Sequence, residues 1–351
     1  MFTLPAIFEA LNDYREGFSK VLDHAEELEK IDVGTTPADV IYSGRKIRVL
    51  HYKPTRDKLY PIPLLIVYAL INRYYILDLQ PDRSWVKKLV DEGFDVYMID
   101  WGTPTLADKH ISYYDYVNRY IDRIVDMVRD ASSQEKISLQ GYCMGGTMSI
   151  MYTALHQEKI KNLLTIAPVV DTEKDTTVLG NVSKHLDVDA LIDTYGNCPP
   201  EFLYLCYSLL KPFKQGMLKY MNFAKKAKDK AFLENFLRVE KWLYDTPPIP
   251  GDTFKQWIKD IYQANLLPKN RLMLEDELVD LRKINVPLYN IAAADDHLVS
   301  PECSIPLNYH VSSIDEHFKV YPTGHIGLIA SSYSQKVVLR DLTAWLRERS
   351  T

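Results

Sequence analysis

A turn between two apolar segments constrains this chain more than any other feature. Residues 141–146 read Gly-Tyr-Cys-Met-Gly-Gly, between the strand-like segment 136–140 and the helix-like segment 147–156. Small residues around a nucleophilic side chain allow a strained strand-to-helix turn that exposes the nucleophile. Because this position holds Cys143 rather than serine, the pattern predicts a reactive thiol at the start of a helix, whose dipole favours an anion.

The segments around this turn alternate between strand and helix patterns. Strands are predicted at 46–52, 64–68, 94–100, 137–140 and 163–167, and helices at 82–92, 113–131 and 145–157. The alternation resumes near the C-terminus with strands at 286–292 and 318–321 and a helix at 334–347. Apolar strands that alternate with helices indicate a mostly parallel, doubly wound sheet covered on both faces. Together with the nucleophile turn, this order predicts an α/β-hydrolase fold.

The alternation is interrupted by a long helical insertion. Between residues 171 and 283 we find no convincing buried strand, and helices are predicted at 202–210, 217–227, 231–242 and 254–265. We therefore expect a sheet core at 36–170 and 284–351, with a helical cap subdomain at 171–283. An amphipathic helix is predicted over 1–31 within an N-terminal region, 1–35, and it either packs on the core or binds a partner.

Composition and charge exclude several classes of function. A chain of 351 residues with 46% hydrophobic content can bury a large core, and a net charge of −5 gives no sign of nucleic-acid binding. The longest nearly uncharged apolar segment, 61–71, is shorter than the roughly 20 residues of a transmembrane helix. The N-terminus has no signal-peptide pattern, and the four cysteines have neither metal-site spacing nor disulfide density. We therefore expect a cytoplasmic protein without a metal centre.

Two late loops supply the expected partners of Cys143. In this fold the order along the chain is nucleophile, acid and histidine, with the last two on loops after late strands. His325 lies in a Gly-His-Ile-Gly loop after the strand at 318–321, and we expect it to act as general base. Asp295 and Asp296 both follow the strand at 286–292, and their spacing does not separate them as the acid. Their neighbour His297 is expected to be structural.

Two backbone amides are expected to form an oxyanion hole. One belongs to Met144, the residue after the nucleophile. The other is expected in the loop after the strand at 64–68, within residues 70–72, and Ile71 is the candidate.

Five motifs together resemble the polyhydroxyalkanoate synthases. They are Ala-Leu-Ile-Asn-Arg-Tyr-Tyr-Ile-Leu-Asp-Leu at 69–79, Asp-Trp-Gly-Thr-Pro at 100–104, Gly-Tyr-Cys-Met-Gly-Gly-Thr at 141–147, Asp-Asp-His-Leu-Val at 295–299 and Gly-His-Ile-Gly at 324–327. Enzymes of this family polymerise (R)-3-hydroxyacyl-CoA thioesters into a storage polyester and release CoA. The resemblance extends over nearly the whole chain from about residue 40. The short chain without a long N-terminal domain resembles the class III form, whose catalytic subunit works with a second, non-catalytic subunit. Class IV enzymes are similar in size and are the alternative.

The resemblance implies a role for each member of the site. Cys143 matches the nucleophile of the family, His325 its base and Asp296, directly before His297, its acid. It further implies that acyl-CoA is a substrate, that no cofactor is needed and that the polyester grows on Cys143. A non-catalytic second subunit, a homodimer and a cytoplasmic location at the surface of polyester granules are implied as well.

Two other functions remain open from the sequence. The first is a hydrolase with a cysteine nucleophile, similar to a thioesterase or a dienelactone hydrolase, which delivers water to the same acyl-enzyme. The second is a non-catalytic scaffold at the granule surface, although all three triad positions are retained.

Seven lysines at 211–230 either form a solvated helix face or steer the phosphates of CoA.

Overall fold

A computed structural model describes residues 30–210 and 229–351 of the chain, and residues 208–210 through their backbone only. The predicted helix at 217–227 and almost all of the predicted helix at 1–31 lie outside these residues. All but one of the seven cap lysines also lie outside them.

The centre of the molecule is an eight-stranded sheet with the strand order β1-β2-β4-β3-β5-β6-β9-β10. Strand β2 is antiparallel to β1 and β4, and the other neighbouring strands are parallel. Strands β7 and β8 form a separate two-residue hairpin. The ten strands are β1 (Ala38–Gly44), β2 (Ile47–Tyr52), β3 (Leu64–Val67), β4 (Val96–Asp100), β5 (Ile137–Tyr142), β6 (Ile160–Ile166), β7 (Met273–Leu274), β8 (Glu277–Leu278), β9 (Leu288–Ala293) and β10 (Glu316–Tyr321).

The helices occupy the connections between these strands. In chain order they are α1 (Trp85–Glu92), α2 (Asp122–Ser132), α3 (Met144–His156), α4 (Val178–Lys184), α5 (Val188–Tyr195), α6 (Pro200–Leu210), α7 (Lys230–Tyr244), α8 (Gly251–Gln256), α9 (Pro301–Ser304), α10 (Pro306–His310), α11 (Gly327–Ala330) and α12 (Leu339–Arg349). Three π-helical turns, Asp115–Ile121, Trp257–Gln263 and Ser334–Val338, adjoin α2, α8 and α12. A 3-10 helix, Tyr74–Leu77, follows the loop after β3. Among the residues that the structure describes, no helix is long and apolar enough to cross a lipid bilayer.

Central strand β5 shows why the sheet is covered on both faces. All of its residues are buried, which agrees with its nearly continuous apolar sequence. Trp85 of α1 donates a hydrogen bond to Gln140, and Ser138 connects through Asn162 to the carbonyl of Arg349 in α12. Because alternate residues of a strand point to opposite faces, α1 and α12 cover one face while α2 and α3 pack on the other. The predicted parallel sheet with helical layers is confirmed.

The strand β1 and the short helices α4 and α5 were not predicted from the sequence. Among the described strands, β1 lies at the edge of the sheet and pairs with β2 alone. Its residues are exposed or half-buried, so its sequence lacks the apolar pattern that identifies a buried strand. Helices α4 and α5 are only seven and eight residues long, and the side chains of Thr177 and Asp187 cap their N-termini. Helices this short depend on tertiary contacts rather than on helix propensity.

A helix-rich segment connects β6 to β9. In its described part it contains α4 to α8, and the hairpin β7–β8 contributes its only strands. The side chain of Trp242 in α7 donates to the carbonyl of Arg73 in the loop after β3, and Tyr207 of α6 lines a cavity together with Cys143 at the end of β5. This placement brings the helix-rich segment over the edge of the sheet that carries Cys143. The division into a core and a cap subdomain at 171–283 stays a prediction.

Candidate active site

The nucleophile candidate lies in a strained turn between β5 and α3. Cys143 has φ 55° and ψ −126°, a conformation that side chains other than glycine rarely adopt. Its amide donates to the carbonyl of Ile166 at 2.8 Å, and its carbonyl accepts from the amide of Gly146 at 2.8 Å. The turn therefore holds the cysteine at the N-terminus of α3, as the sequence predicts.

Two glycines of the motif are required by close packing of the backbone. A Cβ on Gly141 would overlap the backbone of Gly145 and Gly146 on the first turn of α3. A Cβ on Gly145 would overlap the carbonyl oxygen of Val67 at the end of β3. Because neither neighbour is a flexible side chain, the spacing of small residues around Cys143 follows from the way α3 packs on the sheet.

His325 and Asp296 form a buried hydrogen-bonded pair. The Nδ1 atom of His325 lies 2.6 Å from Oδ2 of Asp296, and both side chains are almost completely buried. The other oxygen of Asp296 accepts from the amides of Leu298 and Val299 at 2.8 and 3.0 Å. These amides fix the carboxylate, and the carboxylate in turn orients the imidazole ring.

The imidazole also interacts with the thiol of Cys143. Burial opposes protonation of the His325 ring, but the charges of Asp296 and Cys143 and the hydrogen bonds to both favour it. The net effect raises the pKa of His325 above its ordinary value. A buried imidazole with a raised pKa binds a proton readily, which is the property that the predicted role of His325 as general base requires.

The structure distinguishes the neighbouring carboxylates Asp295 and Asp296, which their spacing in the sequence did not separate as candidates for the acid. Asp296 is buried and bonded to His325, whereas Asp295 is exposed. His297 is also exposed. Cys143, His325 and Asp296 thus come together in space.

The two predicted oxyanion donors lie near the thiol. Met144 is the first residue of α3 and is fully buried, so its amide is among the helix N-terminal groups that have no partner within the helix. Ile71 follows β3 and lines the space around the thiol. The donor role of these two amides stays a prediction.

Two cavities meet at Cys143. The larger, about 280 Å³, is lined by His325, Tyr68, Tyr142 and Trp242 among others. The smaller, about 70 Å³, is almost entirely apolar and is lined by Val182, Phe202, Phe254 and Trp257 among others. Four residues line both cavities: Ile71, Cys143, Tyr207 and Leu298. The thiol therefore lies between a larger cavity lined by both polar and apolar side chains and a smaller cavity lined almost entirely by apolar ones.

The helical insertion contributes lining residues that the sequence did not identify as part of the site. Tyr207 of α6 and Trp242 of α7 both line the larger cavity. Burial raises the pKa of the Tyr68, Tyr142 and Tyr207 hydroxyls well above the ordinary value, and the charge of Cys143 adds to the effect. These hydroxyls stay protonated near the thiol. Helical periodicity carries no signal for them, because any amphipathic helix of a cap shows the same pattern.

Comparisons with known proteins agree with this geometry. Residues 62–331 match the family model described as the alpha/beta hydrolase fold. Residues 10–89 match the model described as the N-terminus of poly-beta-hydroxybutyrate polymerase (PhaC).

Relatives that match along most of the chain show its family. The poly(3-hydroxyalkanoate) polymerase subunit PhaC of Haloferax mediterranei is 45% identical over 334 residues, which cover 95% of this chain and 68% of the relative. The subunit PhaC of Allochromatium vinosum is 41% identical, and the match covers 96% of both chains. The chain belongs to the poly(3-hydroxyalkanoate) polymerase family.

Solved structures show the fold on which this polymerase family member is built. A soluble variant of monoglyceride lipase from Saccharomyces cerevisiae has a TM-score of 0.58 at 14% identity, covering 91% of this chain and 98% of the lipase. An esterase from Thermogutta terrifontis has a TM-score of 0.54 at 15% identity, covering 90% of this chain and 98% of the esterase. At this identity the likeness shows the α/β-hydrolase fold alone.

Proposed function

We propose that this chain polymerises (R)-3-hydroxyacyl-CoA thioesters into polyhydroxyalkanoate and releases CoA through a covalent acyl-Cys143 thioester. The observation that carries the mechanism is the buried chain of contacts from Asp296 through His325 to Cys143. Family membership supports the substrate class. We further propose that acyl-CoA serves as a substrate and that no cofactor takes part.

A cysteine nucleophile suits a polymerase for a thermodynamic reason. Acyl-CoA is a thioester, so transfer of the acyl group to Cys143 replaces one thioester by another at little change in free energy. The acyl group stays activated, and the later formation of an oxygen ester is downhill. A serine in this position would form the oxygen ester at once and lose that driving force.

In the first step the sulfur of Cys143 attacks the thioester carbonyl. His325 takes the thiol proton, and the amides of Met144 and Ile71 stabilise the oxyanion that forms. The bond between the carbonyl carbon and the CoA sulfur breaks, and His325 returns the proton to the departing CoA thiolate. The product is acyl-Cys143 and free CoA.

In the second step a 3-hydroxyl group attacks the acyl-Cys143 thioester. The new carbon–oxygen bond lengthens the polyester by one unit, and the bond to sulfur breaks. The hydroxyl proton passes to His325, or to Asp296 if that carboxylate activates the hydroxyl directly, and then to the thiolate of Cys143. In either case Asp296 holds the imidazole in position.

Exclusion of water decides whether the acyl group ends in polymer or in free acid. We propose that the segment 171–283 acts as a cap, because α6 and α7 place Tyr207 and Trp242 over the thiol. A mostly apolar enclosure keeps water from the acyl-enzyme while it admits a hydroxyl on a long apolar chain. The cap opens for CoA to leave.

Association with other chains and with the polyester is part of the proposal. Apolar side chains of α4, α6 and α7 are exposed, namely Val178, Val182, Leu205 and Tyr244. Exposed apolar groups on neighbouring elements are typical of interaction surfaces. We propose that they serve contact with a non-catalytic second subunit, a second copy of the chain or the surface of a polyester granule in the cytoplasm.

The assay uses purified full-length protein with 3-hydroxybutyryl-CoA, with and without a second synthase subunit. We expect release of CoA, turbidity from insoluble polymer and, by mass spectrometry with a slow acyl donor, an adduct on Cys143. Cys143→Ala should abolish polymer formation and Cys143→Ser should leave little of it. The matched control is Cys206→Ala, since Cys206 lines the apolar cavity but not the larger cavity that His325 lines.

Each alternative function has its own result in this assay. Full activity of Cys143→Ala, or an adduct on another residue, would contradict the proposed mechanism. Free 3-hydroxybutyrate without polymer would indicate a hydrolase. Absence of both CoA release and iodoacetamide labelling at Cys143 would indicate a non-catalytic scaffold.

A further inference from the structure

We propose that the end of α7 latches the loop after β3, so that the oxyanion hole is complete only while α7 is seated on the active site. The latch consists of Asn72, Arg73 and Tyr75 on the loop side, and of Asp245 and Thr246 just after α7. This inference rests on the proposed function, because it takes the amide of Ile71 as an oxyanion donor.

Asn72 supplies the centre of the latch directly after Ile71. Its backbone has φ 59°, in the left-handed region, and the residue is buried. Its amide nitrogen donates to Oγ1 of Thr246 at 2.6 Å and to the carbonyl of Trp242 at 3.1 Å. Trp242 lies in the last turn of α7, whose carbonyls have no partner within the helix. The side chain of Asn72 therefore stabilises an unusual loop conformation. It also donates to a carbonyl at the C-terminus of α7 that has no partner within the helix.

Arg73 and Tyr75 attach the loop to α7 through a single carboxylate. Nε of Arg73 donates to Oδ1 of Asp245 at 2.8 Å, and the hydroxyl of Tyr75 donates to Oδ2 at 3.1 Å. The indole nitrogen of Trp242 donates to the carbonyl of Arg73 at 2.9 Å. The latch thus engages Asn72 and Arg73 of the loop and Tyr75 of the 3-10 helix that follows it, all within four positions of Ile71.

Arg73 also connects the latch to the core of the fold. Its Nη1 donates to the carbonyl of Gly102 at 2.8 Å, and its Nη2 donates to Oγ1 of Thr103 at 2.8 Å. These two residues follow β4, the neighbour of β3 in the sheet. With all three guanidinium nitrogens engaged, Arg73 has one defined position, and Asp245 is held against it.

The position of this loop matters for catalysis. An oxyanion donor acts only when its N–H points at the place where negative charge develops, and an error of about 1 Å costs about 100-fold in rate. Trp242 and Leu243 of α7 line the larger cavity. Any movement of α7 that opens this cavity pulls on the contacts that orient Ile71. Acyl transfer therefore proceeds with α7 seated, which is also the state in which water is excluded.

The test compares latch variants with a control on the same helix. Asn72→Gly keeps the left-handed backbone without strain but removes the amide, and Asp245→Asn removes the charge that holds Arg73. The control is Asn235→Ala. The side-chain oxygen of Asn235 accepts from Arg83 at 2.8 Å, so it also joins α7 to the core, but it lies nearer the start of α7 and makes a contact separate from the latch. Full-length protein is mixed with 3-hydroxybutyryl-CoA, and released CoA is measured by chromatography after a rapid quench.

We expect both latch variants to lose at least tenfold in kcat while KM changes less than about threefold, and the control to stay within about twofold. Iodoacetamide should label Cys143 at the wild-type rate in all three, because the triad is untouched. The latch would be refuted by wild-type kcat in Asn72→Gly, by a loss confined to KM, or by slower labelling of Cys143. If Asn72→Gly does not fold, Thr246→Val removes the same hydrogen bond from the helix side and is judged by the same readouts.

Failure of the latch and failure of the proposed function give different results. If Cys143→Ala is inactive and Asn72→Gly is fully active, the latch is wrong and the acyl-Cys143 mechanism stands. If Cys143→Ala is active, the proposed function itself is wrong.

Discussion

Cys143 differs from the other cysteines in its backbone and in its neighbours. Cys198 and Cys303 are fully buried, and burial raises the pKa of both thiols, which keeps them protonated. Burial also raises the pKa of the Cys206 thiol, although that residue is only partly buried. Cys143 alone among the four interacts with His325. Reactivity is therefore set by position in the fold, since the four side chains are chemically identical.

The two adjacent carboxylates provide a matched pair of substitutions. Asp296→Asn keeps the shape of the side chain but stabilises the wrong tautomer of His325, and we expect the polymerisation rate to fall by roughly 10²–10⁴-fold. Asp295→Asn should change the rate less than about threefold, because Asp295 lies exposed at the lining of the larger cavity and the carboxylate bonded to His325 is that of Asp296. Initial rates of CoA release measure both. Equal losses in the two variants would contradict the assignment of the acid.

The charge on His325 predicts how stability depends on pH. The pKa of His325 is raised to about 10 in the folded protein. Protonation of His325 therefore stabilises the folded state, and this contribution is complete at pH values below the ordinary histidine pKa. That contribution is lost as the pH rises through the folded value. The wild type should therefore exceed His325→Gln in unfolding free energy by more at pH 6 than at pH 10, by about 1 kcal/mol or more, since one pKa unit corresponds to about 1.4 kcal/mol. Urea denaturation at both pH values measures this difference, and a constant difference would contradict the raised pKa.

At the scale of single elements, the turn between β5 and α3 depends on how closely α3 approaches β3. Gly145 lies on the first turn of α3, next to the backbone of Val67 and Tyr68. The carboxyl end of β3 also leads into the loop that carries Ile71. The glycine therefore sets the distance between the thiol and the predicted oxyanion donor.

Gly145→Ala tests this packing. The added methyl group meets backbone atoms that cannot move aside, and we expect a loss of about 1–3 kcal/mol in unfolding free energy together with a large loss of activity. The control is Gly324→Ala, whose Cβ would lie 3.4 Å from the carbonyl of Asp295, an ordinary contact. Thermal unfolding followed by circular dichroism compares the two variants, and equal stability would show that α3 can shift away from β3.

For the whole molecule, the strand order explains how distant parts of the chain meet. Cys143 follows β5, Asp296 follows β9 and His325 follows β10, and these strands are parallel members of one sheet with β6 between β5 and β9. Because the carboxyl ends of parallel strands share an edge, the three loops converge there. The helical insertion between β6 and β9 then covers that edge.

Tyr207 tests whether the insertion controls access of water. It lines both cavities at the thiol, whereas Tyr204 on the same helix is 39% exposed and lines neither. We expect Tyr207→Ala to raise the ratio of free 3-hydroxybutyrate to polymer several-fold, because water reaches the acyl-enzyme. Tyr204→Ala should leave the ratio unchanged. Gravimetry of polymer and chromatography of the acid measure the ratio, and an unchanged ratio in Tyr207→Ala would count against a sealing role.

Much of the site follows from local sequence. The spacing of Gly141, Cys143 and Gly145 specifies the turn, because only small residues tolerate that packing. His325 could be assigned from its glycine-flanked loop after a late strand, since the chain order of this fold is fixed. Edge strand β1 and helices α4 and α5 could not be assigned, because pairing and packing with distant residues stabilise them.

Short-range patterns of apolar and small residues encode the sheet, the turn at Cys143 and the loop of His325, so these features could be predicted from the amino-acid order alone. The choice between Asp295 and Asp296 came from the family resemblance and not from their spacing, and the folded structure supplies its geometry: Asp296 is buried against His325. Only the folded structure shows which residues of α6 and α7 face the thiol. It also decided that Asp245 reaches back to Arg73. These contacts depend on the direction of side chains that are far apart in the chain, and no local pattern records that direction.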